Sequence, residues 1–120
     1  MLDGLSAYRP QALAALRIMT ALLFIEHGTQ KFFNFPPAEQ PFGDLMNLIG
    51  AAGALEIVGG VLILLGLFTR PVAFILSGFM AVAYFMAHAP QNFFPVNNGG
   101  DAAILFSFIF LYLFLAGPGA

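Results

Sequence analysis

The chain has 120 residues, of which 60% are hydrophobic and only 8% are charged, and its mean hydropathy is +0.89. This composition excludes an ordinary soluble domain and indicates a protein that lies in a lipid bilayer. The net charge of −2 and four scattered basic residues argue against a nucleic-acid partner, and the absence of cysteine excludes disulfides and thiol relay chemistry.

Four apolar segments predict four membrane-spanning helices, since a helix needs about 20 apolar residues to cross the hydrocarbon core. Prolines and other turn residues separate them, and the predicted spans are residues 11–33, 45–68, 71–88 and 101–116. The first loop, residues 34–43, carries three prolines, whereas only Thr69 and Arg70 separate the second span from Pro71. We therefore expect one all-α domain, an integral membrane four-helix bundle with up-down-up-down topology.

The few basic residues predict the orientation of these spans. Arg9, Arg17 and Arg70 would share one side of the membrane and Lys31 the other, so the positive-inside rule places both termini in the cytoplasm. The first span lacks a small-residue cleavage pattern, which favours a retained signal anchor over a removed signal peptide.

Polar residues collect at the end of the first span. Glu26 and Gln30 are four residues apart, and so are His27 and Lys31, so the four side chains cover less than half of the helix circumference. We expect this wedge to face the bundle or the outer membrane interface.

Glu56 is a second carboxylate that the predicted spans place near mid-membrane. An acidic residue at that depth costs about 2.5–3.5 kcal/mol unless it is paired or protonated. One interpretation is structural and pairs Glu26 with Lys31 and Glu56 with Arg17. The other interpretation is a functional polar cluster, and the sequence leaves both open.

Glycines flank Glu56 on its own helix face. Gly53 precedes it by three residues and Gly60 follows it by four. Small residues at this spacing predict that a neighbouring backbone packs closely there.

His27 and His88 are predicted at similar depths on the first and third spans. Such a pair suits a bis-histidine haem or metal, a quinone or other small ligand, or two ordinary interfacial histidines. Two histidines form no recognisable metal motif, so haem and metal are the least favoured of these interpretations.

Asn98 and Asp101 stand just before the fourth span. Their spacing is that of a polar N-cap with an acidic residue three positions later, which predicts a helix cap. The alternative is that they lie over the outer mouth of the bundle near His88.

Several strings resemble the DoxX family of small bacterial membrane proteins. They are "HGTQKFF", "LEIVGGVLILLGLFTRPVA", "MAHAPQNFFPVNNGGDAAIL" and "AGPG", and together they extend over almost the whole chain. The resemblance implies a bacterial inner-membrane, multi-pass component of a quinone-linked or other redox assembly. Asp101 differs from the family, which usually has glutamate after the paired glycines. The matched polar positions are His27, Gln30, Lys31, Glu56, Arg70, His88, Asn98 and Asp101.

The favoured hypothesis is an accessory subunit that is not catalytic alone, with the bilayer and other membrane subunits as partners. It would hold no covalent cofactor. A polar cluster would bind a quinone or exchange protons, and its residues are Glu26, His27, Gln30, Lys31, Glu56, His88, Asn98 and Asp101. The first alternative is a purely structural helix-packing subunit. The second is a small proton-coupled transporter, which is disfavoured unless the protein oligomerises, because the four predicted spans show no visible internal repeat.

Overall fold

The described part of the chain, residues 3–33 and 46–120 of a computed structural model, is built from helices and contains no strand. This confirms the all-α prediction. The proline-rich first loop predicted at residues 34–43 lies outside the described residues.

Within residues 3–33 and 46–120, five α-helices and three short helical segments follow one another along the chain. Their bounds are Asp3–Tyr8 (3-10 helix), Arg9–Phe33 (α1), Met46–Leu65 (α2), Thr69–Ala83 (α3), Tyr84–His88 (π-helical turn), Ala89–Gln91 (3-10 turn), Pro95–Asn98 (α4) and Asp101–Ala116 (α5).

The helices group into two compact units. Met1–Leu67 together with Gly119–Ala120 forms the first unit, and Phe68–Pro118 forms the second. In the first unit α1 packs against α2, and in the second α3 packs against α5. Each unit therefore contains a pair of long helices.

Glycines set the spacing of α1 and α2 in the first unit. A Cβ atom on Gly28 would lie 2.9 Å from the Gly53 carbonyl oxygen, and one on Gly60 would lie 2.5 Å from the side chain of Ile25. The order of these contacts makes α1 and α2 antiparallel. The close approach predicted beside Glu56 is thus confirmed, and Gly28 supplies the partner surface.

The segment between α2 and α3 begins earlier than the sequence predicts. Gly66 has φ +75° and ends α2, with Gly66 N–H donating to the Ile63 carbonyl at 3.1 Å. Thr69 already belongs to α3, so the expectation that Thr69 and Arg70 form the loop is wrong. Gly66 ends the helix because glycine adopts positive φ without steric cost.

The second unit is joined by serines and aromatic rings. Ser77 on α3 donates its hydroxyl to the Ser107 carbonyl at 2.8 Å, and Ser107 on α5 donates to the Ser77 carbonyl at 3.0 Å. Phe74 and Phe114 pack with ring centroids 5.0 Å apart. These contacts span one face of α3 and satisfy both hydroxyl groups between the helices.

Residues 9–33 and residues 70–94 share nine identical residues at the same spacing. The identical pairs are Arg9/Arg70, Pro10/Pro71, Ala12/Ala73, Met19/Met80, Phe24/Phe85, His27/His88, Gln30/Gln91, Phe32/Phe93 and Phe33/Phe94. Both histidines of the chain therefore occupy equivalent sequence positions in the two repeated segments. The expectation that the chain has no internal repeat is wrong, because the repeat lies in scattered polar and aromatic positions within apolar background.

Candidate functional site

An ion pair joins α1 to α2 in the first unit. The Lys31 ammonium donates a hydrogen bond to Glu56 Oε1. The Glu56 side chain is 1% exposed and that of Lys31 is 27% exposed, so the pair runs from the buried interior toward the surface of the unit. Glu56 Oε2 is buried and has no hydrogen-bond partner within residues 3–33 and 46–120.

The structure changes both predicted ion pairs. Glu56 is paired with Lys31, and Glu26 is exposed on the outer side of α1. Arg17 instead donates to the carbonyls of Ile63 at 2.7 Å and Leu64 at 2.6 Å. The predicted pairs were wrong because they required helix rotations that this sequence, apolar on all faces, does not specify.

Arg17 caps the C-terminal end of α2 by donating to its last carbonyl groups. The last carbonyls of a helix lack partners within the helix, and a cation at this end also interacts favourably with the helix dipole. The Arg17 guanidinium packs on Gly66, where a Cβ atom would lie 3.3 Å from Nη1. Its role in the first unit is therefore to cap α2 and fix the α1–α2 register.

The four polar side chains of the α1 wedge differ in how far they are exposed. Lys31 points toward α2, His27 and Gln30 are half-buried, and Glu26 is exposed. The His27 ring Nδ1 lies 2.8 Å from the Leu23 carbonyl oxygen, which requires Nδ1 to carry the hydrogen. The wedge thus contributes one ion-pair partner and one histidine whose ring orientation is fixed by its own helix.

A second polar network lies in the second unit around Asn98. The buried Asn98 side chain donates to the Tyr84 hydroxyl at 3.0 Å and to the Asn92 carbonyl at 2.9 Å, and accepts from Gly100 N–H at 2.8 Å. The Asn98 carbonyl accepts a hydrogen bond from His88 Nδ1 at 3.0 Å. The sequence signalled His88 and Asn98 but gave no indication of Tyr84.

The cap predicted from Asn98 and Asp101 takes a different form. Gly100 is the N-cap of α5, and no side chain caps this end. Asn98 bonds to the N–H of Gly100 and belongs to α4, while Asp101 is exposed in the first turn of α5. The capping-box prediction was wrong because α5 begins later than its spacing required.

The predicted eight-residue cluster is divided between the two units. Glu26, His27, Gln30, Lys31 and Glu56 are in the first unit, where Lys31 and Glu56 touch, and His88, Asn98 and Asp101 are in the second, where His88 and Asn98 touch. The assignment of these residues to one ligand remains a prediction.

Comparison with known proteins identifies the family. A model of the DoxX family matches residues 12–89. An uncharacterized protein of Haemophilus influenzae is 49% identical over 126 residues, which include 99% of this chain and 92% of the relative. The chain belongs to the DoxX family. No solved structure matches it.

The DoxX family consists of small membrane proteins, and the helices of this chain agree with that character. Gly4–Lys31 and Thr69–Gln91 are long and apolar enough to cross a bilayer. Ala51–Leu65 and Asp101–Ala116 are shorter apolar helices. Large apolar side chains such as Phe74, with 59% of its surface exposed, lie on the outside of these helices, where lipid can cover them.

Proposed function

We propose that this DoxX protein is an accessory membrane subunit of a quinone-linked redox assembly, and that its Lys31–Glu56 pair exchanges protons for that assembly. The buried ion pair is the observation that carries the proposal. Ionisable residues inside membrane-spanning helices are costly and mark proton or substrate pathways by default.

The geometry of the pair suits proton exchange. Glu56 Oε1 is bound by Lys31, whereas Oε2 is buried with no hydrogen-bond partner among the described residues. A proton taken up at Oε2 would neutralise the carboxylate without displacing Lys31. Lys31, which is partly exposed, gives the pair a connection to the surface of the unit.

The accessory role follows from what the chain's own side chains can do. The chain has no cysteine, and the redox assembly that its resemblance to the DoxX family implies would need partner subunits to carry the electron-transfer groups. We place the protein in the bacterial inner membrane as a multi-pass, up-down-up-down four-helix bundle with both termini in the cytoplasm. Three arginines on the inner side against one lysine on the outer side support this orientation.

Native mass spectrometry of the tagged chain, extracted gently from its own membrane, tests this assignment. The proposal predicts stoichiometric redox subunits in the extracted complex, and their masses would identify the enzyme that it serves. A chain that is recovered alone or only with copies of itself would contradict the accessory role.

A structural role is the competing function, and tight packing around Gly28 favours it. Two variants separate the structural role from the proton-exchange role. Glu56→Gln removes a buried carboxylate charge, and Glu26→Gln removes an exposed one. A structural subunit would keep the assembly fully active with either variant, provided that the complex remains intact.

A further inference from the structure

Two side chains of the Asn98 network, His88 and Tyr84, each keep one hydrogen-bonding group that no described residue engages. Because His88 Nδ1 bonds to a carbonyl, Nδ1 carries the hydrogen and the neutral ring keeps a lone pair on Nε2. The Tyr84 hydroxyl accepts from Asn98 and retains its own proton to donate. No described residue accepts that proton or bonds to Nε2.

The two rings lie side by side on the same stretch of helix. Tyr84 and His88 stack with centroids 6.3 Å apart and an interplanar angle of 29°. Tyr84 is the first residue of the π-helical turn Tyr84–His88, and His88 is the last. Such departures from regular α-helix often occur at functional sites. The two side chains that carry the remaining donor and acceptor are therefore neighbours on one helix.

An apolar groove of about 340 Å³ adjoins the Tyr84 member of this pair. It lies between α3 with its π-helical turn and α5, and its walls come from Met80, Ala81, Tyr84, Phe85, Ala103, Ile104, Ser107 and Phe108. Tyr84 belongs to both the groove and the polar pair. A ligand with an uncharged polar head and a single hydrocarbon tail matches this combination.

The charges of the site select among amphipathic ligands. The described residues that line the groove or form the Tyr84–His88 pair include no lysine or arginine, so among them a phospholipid phosphate would have no cation partner. The volume is near the lower end of ligand pockets, about 300 Å³, which suits one tail better than two. A hydroquinone ring can donate to His88 Nε2 and accept from the Tyr84 hydroxyl.

We infer that the second unit binds the hydroquinone form of a membrane quinone, with its ring at Tyr84 and His88 and its tail in the apolar groove. The class of ligand in this inference rests on the proposed function. The inference adds that the ligand binds to the second unit. Leu23 stands at the position of Tyr84 in the first unit, so the repeat preserves the histidine there but not the donor.

Titration of the purified full-length chain in lipid nanodiscs with a decyl-tailed benzohydroquinone, kept reduced, tests the inference. Native mass spectrometry would count one bound probe per chain. Tyr84→Phe and His88→Ala should each weaken binding roughly tenfold, as expected for loss of one hydrogen bond in a dry site. Ala81→Phe should fill the groove and abolish binding.

Two matched controls distinguish the site from general effects. Tyr112→Phe removes an exposed tyrosine hydroxyl on α5, and Ala87→Phe adds the same ring to an exposed position beside the groove-lining residues. Both should bind the probe like the wild type. If Ala81→Phe fails to give a helical, monodisperse protein, Tyr84→Phe and His88→Ala decide the question together, each checked for the same helical content and monodispersity as the wild type because both side chains also bond to Asn98.

Three results would overturn the inference: no probe bound to the wild type, binding unchanged in Tyr84→Phe and His88→Ala, or a retained phospholipid that the probe does not displace. The chain is tested without partner subunits. A chain that binds the probe as predicted but is recovered alone from its own membrane would therefore contradict only the proposed function.

Discussion

Lys31 and Glu56 form an ion pair that joins α1 to α2, with the carboxylate buried and the lysine about a quarter exposed. The two residues are far apart in sequence and meet because glycines allow the helices to approach. Everything proposed for proton exchange in the first unit depends on this contact.

Removing only one partner of this pair should destabilise the protein. Lys31→Met leaves the Glu56 charge buried and unpaired, which costs about 3–5 kcal/mol. The double variant Lys31→Met with Glu56→Leu should recover most of this loss, since an apolar pair avoids the desolvation cost. Chemical unfolding in detergent micelles, followed by helical circular dichroism, measures both, and equal stabilities of the single and double variants would contradict the pairing.

Gly28→Ala should weaken the contact between α1 and α2. The new Cβ atom would lie 2.9 Å from the Gly53 carbonyl oxygen, so the helices must separate at a cost of about 1–3 kcal/mol. Gly78→Ala is the matched control, because no atom of the described residues lies within 4 Å of its Cβ position. The same unfolding measurement should show Gly78→Ala unchanged or up to about 1 kcal/mol more stable, through higher helix propensity.

Arg17→Met should destabilise the end of α2. It removes the hydrogen bonds to the Ile63 and Leu64 carbonyls, and loss of a bond to a charged donor costs about 1.5–3 kcal/mol. Arg9→Met, at an exposed position, should change the free energy of unfolding by less than about 0.5 kcal/mol. Amide hydrogen exchange at residues 60–66 would show where protection is lost, and equal effects of the two variants would argue against the cap.

The helical class could be read from the sequence because apolar runs and turn residues depend only on local order. The ion-pair partner of Lys31 could not be predicted from the sequence. Glu26 is five residues away on the same helix and was a reasonable candidate, whereas Glu56 becomes the partner only through the rotation of α2. A helix that is apolar on every face leaves that rotation unspecified.

Tyr84 shows the same limit in the second unit. It follows a run of apolar residues, and its hydroxyl acquires a partner only when α4 brings Asn98 back against the end of the preceding helix. Asn98 itself was recognised as structurally important, but its bonds depend on where α5 begins. Local sequence patterns therefore do not predict the contacts that form when the chain turns back on itself.

Ser77 and Ser107 provide a test of α3–α5 packing. Each hydroxyl donates to the other residue's carbonyl, so a double-mutant cycle with Ser77→Ala and Ser107→Ala should give a favourable coupling energy. Interhelical bonds of this kind in membrane proteins average about 0.6 kcal/mol and reach about 1.7 kcal/mol. A coupling energy of zero would show that these hydroxyl groups do not act together.

The most direct test of the proposed function is the quinone-dependent turnover of the native assembly carrying wild-type chain, Glu56→Gln or Glu26→Gln. With subunit composition unchanged, Glu56→Gln should lower turnover roughly 10²-fold, the scale of a lost proton-transfer group. Glu26→Gln should leave it at the wild-type level. Wild-type turnover with Glu56→Gln in an intact assembly would contradict the role assigned to the Lys31–Glu56 pair.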